Sequence, residues 1–360
     1  MSKFHSLKVQ DITRETADTV SISFDVPAEL KDKFKYKSGQ YLNLKLHLNG
    51  EELRRSYSLC SHLSSDNEYR IAVKRVEGGK ASNYLNDQLH VGDSIEVSEP
   101  EGTFTADERA GRVGSYVFIT GGSGITPAMS LMKGILFTEE NSQCTLFYTN
   151  RNEDSIIFKN QLKELEDQYN GRLKVFHVLT QANDEAAIKA QPNGDLFIGR
   201  PDRKRMLVWF NQVLDMGIDH EFFLCGPSGL MDAAKQAVEI LRLDPGSLHY
   251  EYFETPEGEE NEIDEAVQQE SQATIILDDE EFEITIPKGM AILDAAMKND
   301  LDVPYSCRGA VCSSCIAKLE NGSVQMRQNF VLTDEEIKDG FILTCQSLPT
   351  AAKIKVDYDA

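Results

Sequence analysis

Cys307-Arg308-Gly309-Ala310-Val311-Cys312-Ser313-Ser314-Cys315 places three thiols within nine residues, and a fourth, Cys345, follows after 29 more. Cys-x4-Cys-x2-Cys with a distant fourth Cys is the spacing by which four thiolates converge on two irons, a [2Fe–2S] cluster. A loop wrapped around so small a core needs small residues. Gly309, Ala310, Ser313 and Ser314 meet that need and let backbone N–H groups approach the sulfurs. Zinc is one rival reading, although it more often takes paired Cys-x2-Cys units; reduced thiols in a core are another. Three cysteines in nine residues with a matching fourth favour the cluster, and a chain built around one moves electrons.

The flanks extend the reading. Val303-Pro304-Tyr305-Ser306-Cys307 and Leu343-Thr344-Cys345-Gln346 resemble plant-type ferredoxins, a likeness that covers about the last 90 residues. Ala310 departs from the glycine usual in that family, so a positive φ there would strain the loop. Upstream, Thr274–Ile286 alternates as a hairpin about Asp278-Asp279, and Gly289–Asn299 has the spacing of an amphipathic helix. This is the element order of a compact α+β ferredoxin domain.

Before that unit, Glu254 to Glu270 holds eight acidic residues and no basic one. Such a stretch repels itself, has little to bury and reads as a flexible linker on which the ferredoxin unit moves between an internal donor and an external acceptor. The whole chain of 360 residues has a net charge of −22, which disfavours nucleic acid and anionic membranes and suits docking to a basic patch on another protein. Scattered Cys60, Cys144 and Cys225 do not form a disulfide framework. With no secretory signal and no run of 18 apolar residues, the expected location is cytoplasmic.

The first 105 or so residues are a series of short β-branched and aromatic runs separated by Gly, Pro, Asn and Asp: 6–12, 19–26, 40–48, 55–60, 69–76 and 93–98. Six such strands predict an antiparallel β-barrel. Strand-like runs at 116–120, 144–150, 174–179 and 221–225 then alternate with helical stretches, which predicts an α/β domain with a parallel sheet. The expected boundaries are 1–108 for the barrel, 109–253 for the α/β domain, 254–271 for the linker and 272–360 for the ferredoxin domain.

Gly121-Gly122-Ser123-Gly124-Ile125-Thr126-Pro127 follows one of the α/β strands, with a helix expected near Pro127. By itself this is equally a tight strand-to-helix connection or a phosphate cradle. Cys225-Gly226-Pro227-Ser228-Gly229 repeats the arrangement, opening a helix at Leu230, and two such turns in one sheet predict a dinucleotide crevice. On the barrel, Arg55-Ser56-Tyr57-Ser58 alternates along a strand, so that Arg55 and Tyr57 share one face and Ser56 and Ser58 the other.

Together these motifs resemble the ferredoxin–NADP reductase superfamily. The resemblance implies that Arg55 binds the FAD pyrophosphate, Tyr57 stacks on the flavin and Ser58 lies near its N5. Ser56 belongs to the same motif, Val73 and Lys74 line the flavin, and Gly79-Lys80-Ala81-Ser82-Asn83 starts a helix on the phosphates. It also implies that the nucleotide occupies Gly121, Gly122, Gly124, Thr126 and Pro127 with Cys225, Gly226 and Pro227. Cys225 lies near the hydride path, Glu251 handles a proton, and Phe253 belongs to an aromatic terminus covering the flavin. Ser58, Cys225 and Glu251 are thus the candidate catalytic set. The plainer alternatives are a strand pair for Arg55 and Tyr57, a packed thiol for Cys225 and a surface carboxylate for Glu251.

A nicotinamide gives up two electrons, whereas a [2Fe–2S] cluster accepts one at a time, so a flavin is needed between them. The domain order resembles the reductase components of multicomponent oxygenases. A finer likeness, to the reductases of phenylacetyl-CoA epoxidase systems, rests on Phe4–Leu7, Gly50–Ser58, Tyr148–Arg151 and Gly340–Gln346. The implied activity is an NAD(P)H:acceptor oxidoreductase, with a steroid or fatty-acyl hydroxylase or desaturase as other acceptors. A ferredoxin-type carrier without nucleotide turnover, or an oxidase discharging to oxygen, is the alternative outside that class. Arg151, with Arg200, Arg203 and Arg205, tilts the donor toward NADPH over NADH.

Overall fold

The computed structural model describes residues 3–181, 196–215, 217–241, 247–256 and 270–360. Its first sheet comprises Phe4–Thr16 (β1), Thr19–Asp25 (β2), Tyr41–Leu48 (β3), Glu51–Ser58 (β4), Tyr69–Lys74 (β5) and Ser94–Ser98 (β6). Their order is β4-β3-β6-β1-β2-β5, every pairing is antiparallel, and a single Leu59–Ile71 bridge joins the outer strands into a barrel. Alternation fills the interior with Val20, Ile22, Leu42, Leu44, Ile71, Val73 and Val97. Past the bridge, β4 and β5 share no ladder, which leaves an open seam between Arg55–Ser58 and Ala72–Lys74.

The second sheet contains Ser115–Gly121 (β7), Gln143–Asn150 (β8), Leu173–Leu179 (β9), Leu196–Ile198 (β10), Glu221–Cys225 (β11) and Leu248–Glu251 (β12). It is parallel throughout, in the order β10-β9-β8-β7-β11-β12. Both faces are covered. Phe118 and Leu146 pack toward the helix Ile125–Thr138, while Val117, Ile119 and Phe147 meet the helices Arg203–Val213 and Ser228–Ile240. The order reverses between β7 and β11, and both glycine turns sit at the carboxyl ends of these two strands, where doubly wound sheets bind ligands. The short edge strands β10 and β12 carry too few residues for their alternation to be legible in sequence.

The last sheet is built from Ser271–Leu277 (β13), Glu280–Ile286 (β14), Ile316–Asn321 (β15), Phe341–Leu343 (β17) and Lys353–Asp357 (β19), in the order β14-β13-β19-β15-β17. Val324–Met326 (β16) pairs separately with Ser347–Pro349 (β18). The predicted hairpin turn has Asp278 at φ 54° and Asp279 at φ 60°, two left-handed residues in succession as a type I′ turn requires. The predicted helix is shorter, Ile292–Lys298, because Pro287 to Met290 form a turn before it.

Residues 257–269 of the acidic stretch lie outside the described residues. Thr255, at its beginning, donates its hydroxyl to Gly309 O at 2.9 Å, so the chain leaving the parallel sheet touches the cysteine loop directly. That loop is wedged between the other two domains. Ser313 and Ser314 face Tyr41 and Asn43 of the barrel, whereas Val311 and Phe330 pack on the core formed by the parallel sheet.

Candidate functional site

The four predicted ligand cysteines are brought together as two pairs. Cys307 N–H donates to Cys312 Sγ at 3.5 Å, and Gly309 N–H donates to Cys307 Sγ at 3.3 Å. The thiols of Cys307 and Cys312 interact, as do those of Cys315 and Cys345; contact with the partner thiol holds Cys307 and Cys345 below the ordinary thiol range despite burial. Among the described residues no three His, Cys, Asp or Glu side chains gather as ligands of a single ion. Two thiol pairs suit the two irons of a binuclear cluster. Ala310 has φ 63°, so the departure from glycine does place an L-residue in left-handed backbone, and Arg308 is at φ 55°.

At the switch point, most of the glycines serve turn-to-turn packing. A Cβ on Gly124 would sit 2.0 Å from Cys225 O, one on Gly226 2.8 Å from Gly121 N, and one on Gly121 2.7 Å from Pro227 Cδ. Gly229 has open space beside it, and a Cβ on Gly122, at φ 53°, would meet only the end of Lys74 at 3.6 Å, which leaves room for a ligand at the mouth. The helices start slightly earlier than expected, at Ile125 and Ser228. Thr126 spends its hydroxyl on Ser123 O at 3.0 Å, and Pro127 is buried. Thr120 was not anticipated. Its hydroxyl, at the end of β7, is buried without a hydrogen-bond partner among the described residues, and such an atom calls for a ligand or water.

Register aligns Thr120 with Cys225 and Cys225 with Glu251 across three neighbouring strands. Ser58 Oγ reaches across from the barrel and donates to Glu251 Oε2 at 3.3 Å. The three candidate catalytic residues thus meet at one place, where the barrel seam opens onto the sheet. Burial raises the Glu251 carboxyl to about 8, although the residue keeps some contact with solvent and the Ser58 hydrogen bond acts in the opposite sense. Burial also pushes the Cys225 thiol well up, so it stays neutral at ordinary pH. Phe253 is exposed beside this cluster in sequence.

The seam itself fits an anionic, planar ligand. Arg55 is exposed, and no carboxylate lies within ion-pair distance of it among the described residues; its Nη1 donates only to Arg54 O at 2.7 Å. Tyr57 is half-buried, and Lys74 Nζ lies beside the open flank of Gly122. Several other candidates turn their side chains elsewhere. Val73 is wholly inside the barrel core, so it offers the seam only its backbone. Ala81 is core, Ser82 Oγ accepts from Val76 N–H at 3.1 Å, and Asn83 Oδ1 accepts from Arg75 at 3.1 Å; Gly79 caps the helix Lys80–Asp87. Ser56 Oγ donates to Asn43 Oδ1 at 2.7 Å and lies 2.8 Å from Ser306 Oγ, facing the cysteine loop. Arg151 reaches Asp18 at 3.4 Å, an exposed pair of small energetic weight.

Three family models match in series: an oxidoreductase FAD-binding domain over 6–106, an oxidoreductase NAD-binding domain over 118–236 and a 2Fe-2S iron-sulfur cluster binding domain over 275–350. The chain is 37% identical over 363 residues to a component of the 1,2-phenylacetyl-CoA epoxidase of Escherichia coli K12, covering 100% of this chain and 99% of that protein. The chain belongs to this FAD- and [2Fe–2S]-containing reductase family. Another member, the ferredoxin reductase component of the 3-ketosteroid-9-alpha-monooxygenase of Rhodococcus rhodochrous, is 32% identical over 98% of this chain and 96% of its own. Among solved structures, phthalate dioxygenase reductase superposes with a TM-score of 0.58 at 26% identity, covering 98% of both chains. A type IV self-sufficient cytochrome P450 monooxygenase reaches a TM-score of 0.69 over 99% of this chain and 41% of its own; at 19% identity it speaks to fold alone. The reductase uses FAD, NAD(P)H and a [2Fe–2S] cluster, and it is an oxidoreductase component.

Proposed function

We propose that this reductase delivers electrons from NAD(P)H to the oxygenase component of a phenylacetyl-CoA epoxidase-type system. The 37% identity to the epoxidase component over the full chain supports this acceptor above the steroid monooxygenase type. When bound, the flavin and the cluster turn a two-electron donor into single-electron deliveries. Arg55 holds the flavin pyrophosphate and Tyr57 covers the ring, with backbone from Val73 and Lys74 and the helix N-terminus at Gly79–Asn83 completing the cradle. The open flanks of Gly122 and Gly229 receive the pyridine nucleotide, with Thr120 and Cys225 beside its reactive end. Glu251, protonated at neutral pH and joined to Ser58, holds a proton at the meeting point of the two sites. Cys307, Cys312, Cys315 and Cys345 hold the cluster.

The observation that carries this reading is the convergence of Ser58, Cys225 and Glu251 from two domains at the switch point of the sheet. The acidic surface, at net charge −22, suits a soluble acceptor with a basic docking face and disfavours nucleic acid and membrane; we place the protein in the cytoplasm. Among the described residues no helix is long and apolar enough to cross a membrane. Arg151 tied to Asp18 leaves only a slight lean toward NADPH. The test is anaerobic titration with NADPH and then NADH, followed by paramagnetic resonance and then by addition of candidate oxygenases. Joint bleaching of flavin and cluster bands with a rhombic signal is expected. A cluster that only dithionite reduces would put the carrier reading ahead.

A further inference from the structure

Strand β4 presents two faces, and the residues read as holding the flavin pyrophosphate and covering its ring share one of them. Arg55 and Tyr57 lie on that face; Arg54, Ser56 and Ser58 lie on the other, because side chains alternate along a strand. Arg54 is a charged residue almost without access to water, its side chain only 5% exposed. Its guanidinium donates to Glu52 Oε1 at 2.8 Å, to Asp302 Oδ1 and to Val303 O at 3.4 Å. The ring of Tyr305 lies 4.4 Å from its Cζ on one side and that of Phe4 5.3 Å away. One step along the same face, Ser56 meets Ser306 at 2.8 Å. Every partner from the ferredoxin domain belongs to Asp302–Ser306, the five residues immediately before the cluster ligand Cys307.

We propose that Arg54 is a positioning residue that clamps Asp302–Ser306 to β4 and thereby sets the distance between the cluster loop and the flavin residues on the opposite face of the same strand. One backbone carries both anchors, Arg54 for the loop and Arg55 for the pyrophosphate, so neither can shift without the other. Burial opposes a charge at Arg54, but Asp302 and Glu52 outweigh it and keep the guanidinium firmly protonated, as a clamp requires. Electron transfer weakens steeply with separation, so a loop released here would still exist but would be served slowly. The kinetic consequence rests on the electron-transfer reading above; the clamp itself does not.

The test uses the full-length protein loaded with its cofactors. Hydrogen exchange is followed by mass spectrometry in Arg54→Leu and Asp302→Asn. Exchange over 302–306 should rise about tenfold in Arg54→Leu and less in Asp302→Asn, with 117–120 unchanged. In anaerobic stopped flow with NAD(P)H, flavin bleaching should keep its rate while cluster bleaching slows about tenfold, and Arg54→Lys should recover part of the loss. Should Arg54→Leu not fold, Asp302→Asn decides alone, because its side chain is 75% exposed and can be changed without disturbing a core. Unchanged exchange overturns the clamp. Raised exchange with an unchanged cluster rate overturns the positioning role. Absence of flavin bleaching in the unmodified protein would sink the donor reading instead, and the exchange result would still judge the clamp.

Discussion

The cysteine loop meets the barrel and the parallel sheet through different chemistry. Toward the barrel nearly every contact is directional: Ser314 Oγ donates to Glu101 Oε2 at 2.9 Å and accepts from Asn43 at 3.1 Å, Tyr41 Oη lies within 3.2 Å of both Ser313 and Ser314, and Arg54 takes Asp302 and Val303. Toward the sheet the contact is mostly carbon, with Phe330 edge-on to Tyr252 at 5.7 Å and Val311 beside it. Hydrogen bonds specify one position and add little net stability; apolar burial adds stability without specifying a position. The barrel side therefore decides where the loop sits, and the sheet side helps keep it there.

Cys312→Ala should disturb both sides of the loop at once and have the largest effect. Loss of one ligand should abolish the cluster band entirely and loosen both faces, while the flavin band persists; absorbance with hydrogen exchange reads both. Next, Phe330→Ala should lower resistance to urea by roughly 1–3 kcal/mol, less than a fully buried Phe would, and the loss should not change with salt. Tyr41→Phe should cost about 1 kcal/mol at most, because Ser314 keeps its bonds to Glu101 and Asn43. Raising salt to about 0.5 M should loosen the barrel side through Asp302 yet leave the Phe330 side unchanged, the smallest of these structural effects.

A pH series probes the other end of β4, where Ser58 meets Glu251. The Glu251 carboxyl is raised in the folded state, to about 8, so the folded protein holds its proton where the unfolded chain has released it. Its contribution is therefore complete below the ordinary carboxylate range and is lost as pH rises through about 8. Flavin reduction by NAD(P)H should fall along the same limb, and Glu251→Gln should flatten it. A limb that persists in the variant assigns the titration to another group.

Much of this was legible in the chain. Cysteine spacing, the turn glycines and the alternation of the long strands are local signals. Each located its element to within a few residues; the ferredoxin helix began three residues late, at Ile292, β4 began four residues before its predicted start, at Glu51, and β1 overran its predicted ends to Phe4–Thr16. The Asp278-Asp279 turn is legible in the alternation on either side of it, whereas Ala310 stood out only against the glycine of the ferredoxin pattern; all three residues are left-handed. Edge strands β10 and β12 escaped notice because three or four residues carry no period. Packing between turns requires glycine at Gly121, Gly124 and Gly226, a role that motif spacing did not show, since it does not say which neighbour a missing side chain makes room for. Arg54 did leave a trace: two adjacent arginines on a strand point to opposite faces, so only one of them could reach a flavin.

Spacing along the chain accounts for the chemistry and the local shapes: four thiolates at cluster spacing, a barrel, a parallel sheet with two glycine turns, and the residue types able to hold flavin and nucleotide. Each of these depends on near neighbours in sequence, which a linear pattern encodes. Packing in three dimensions is what brings Ser58 and Cys225 to Glu251, turns Ser56 toward the cysteine loop and buries Arg54 against Asp302–Ser306. The hydrogen bonds that fix these meetings join residues 193 to 250 positions apart, and such partnerships are set by how separate cores fit together.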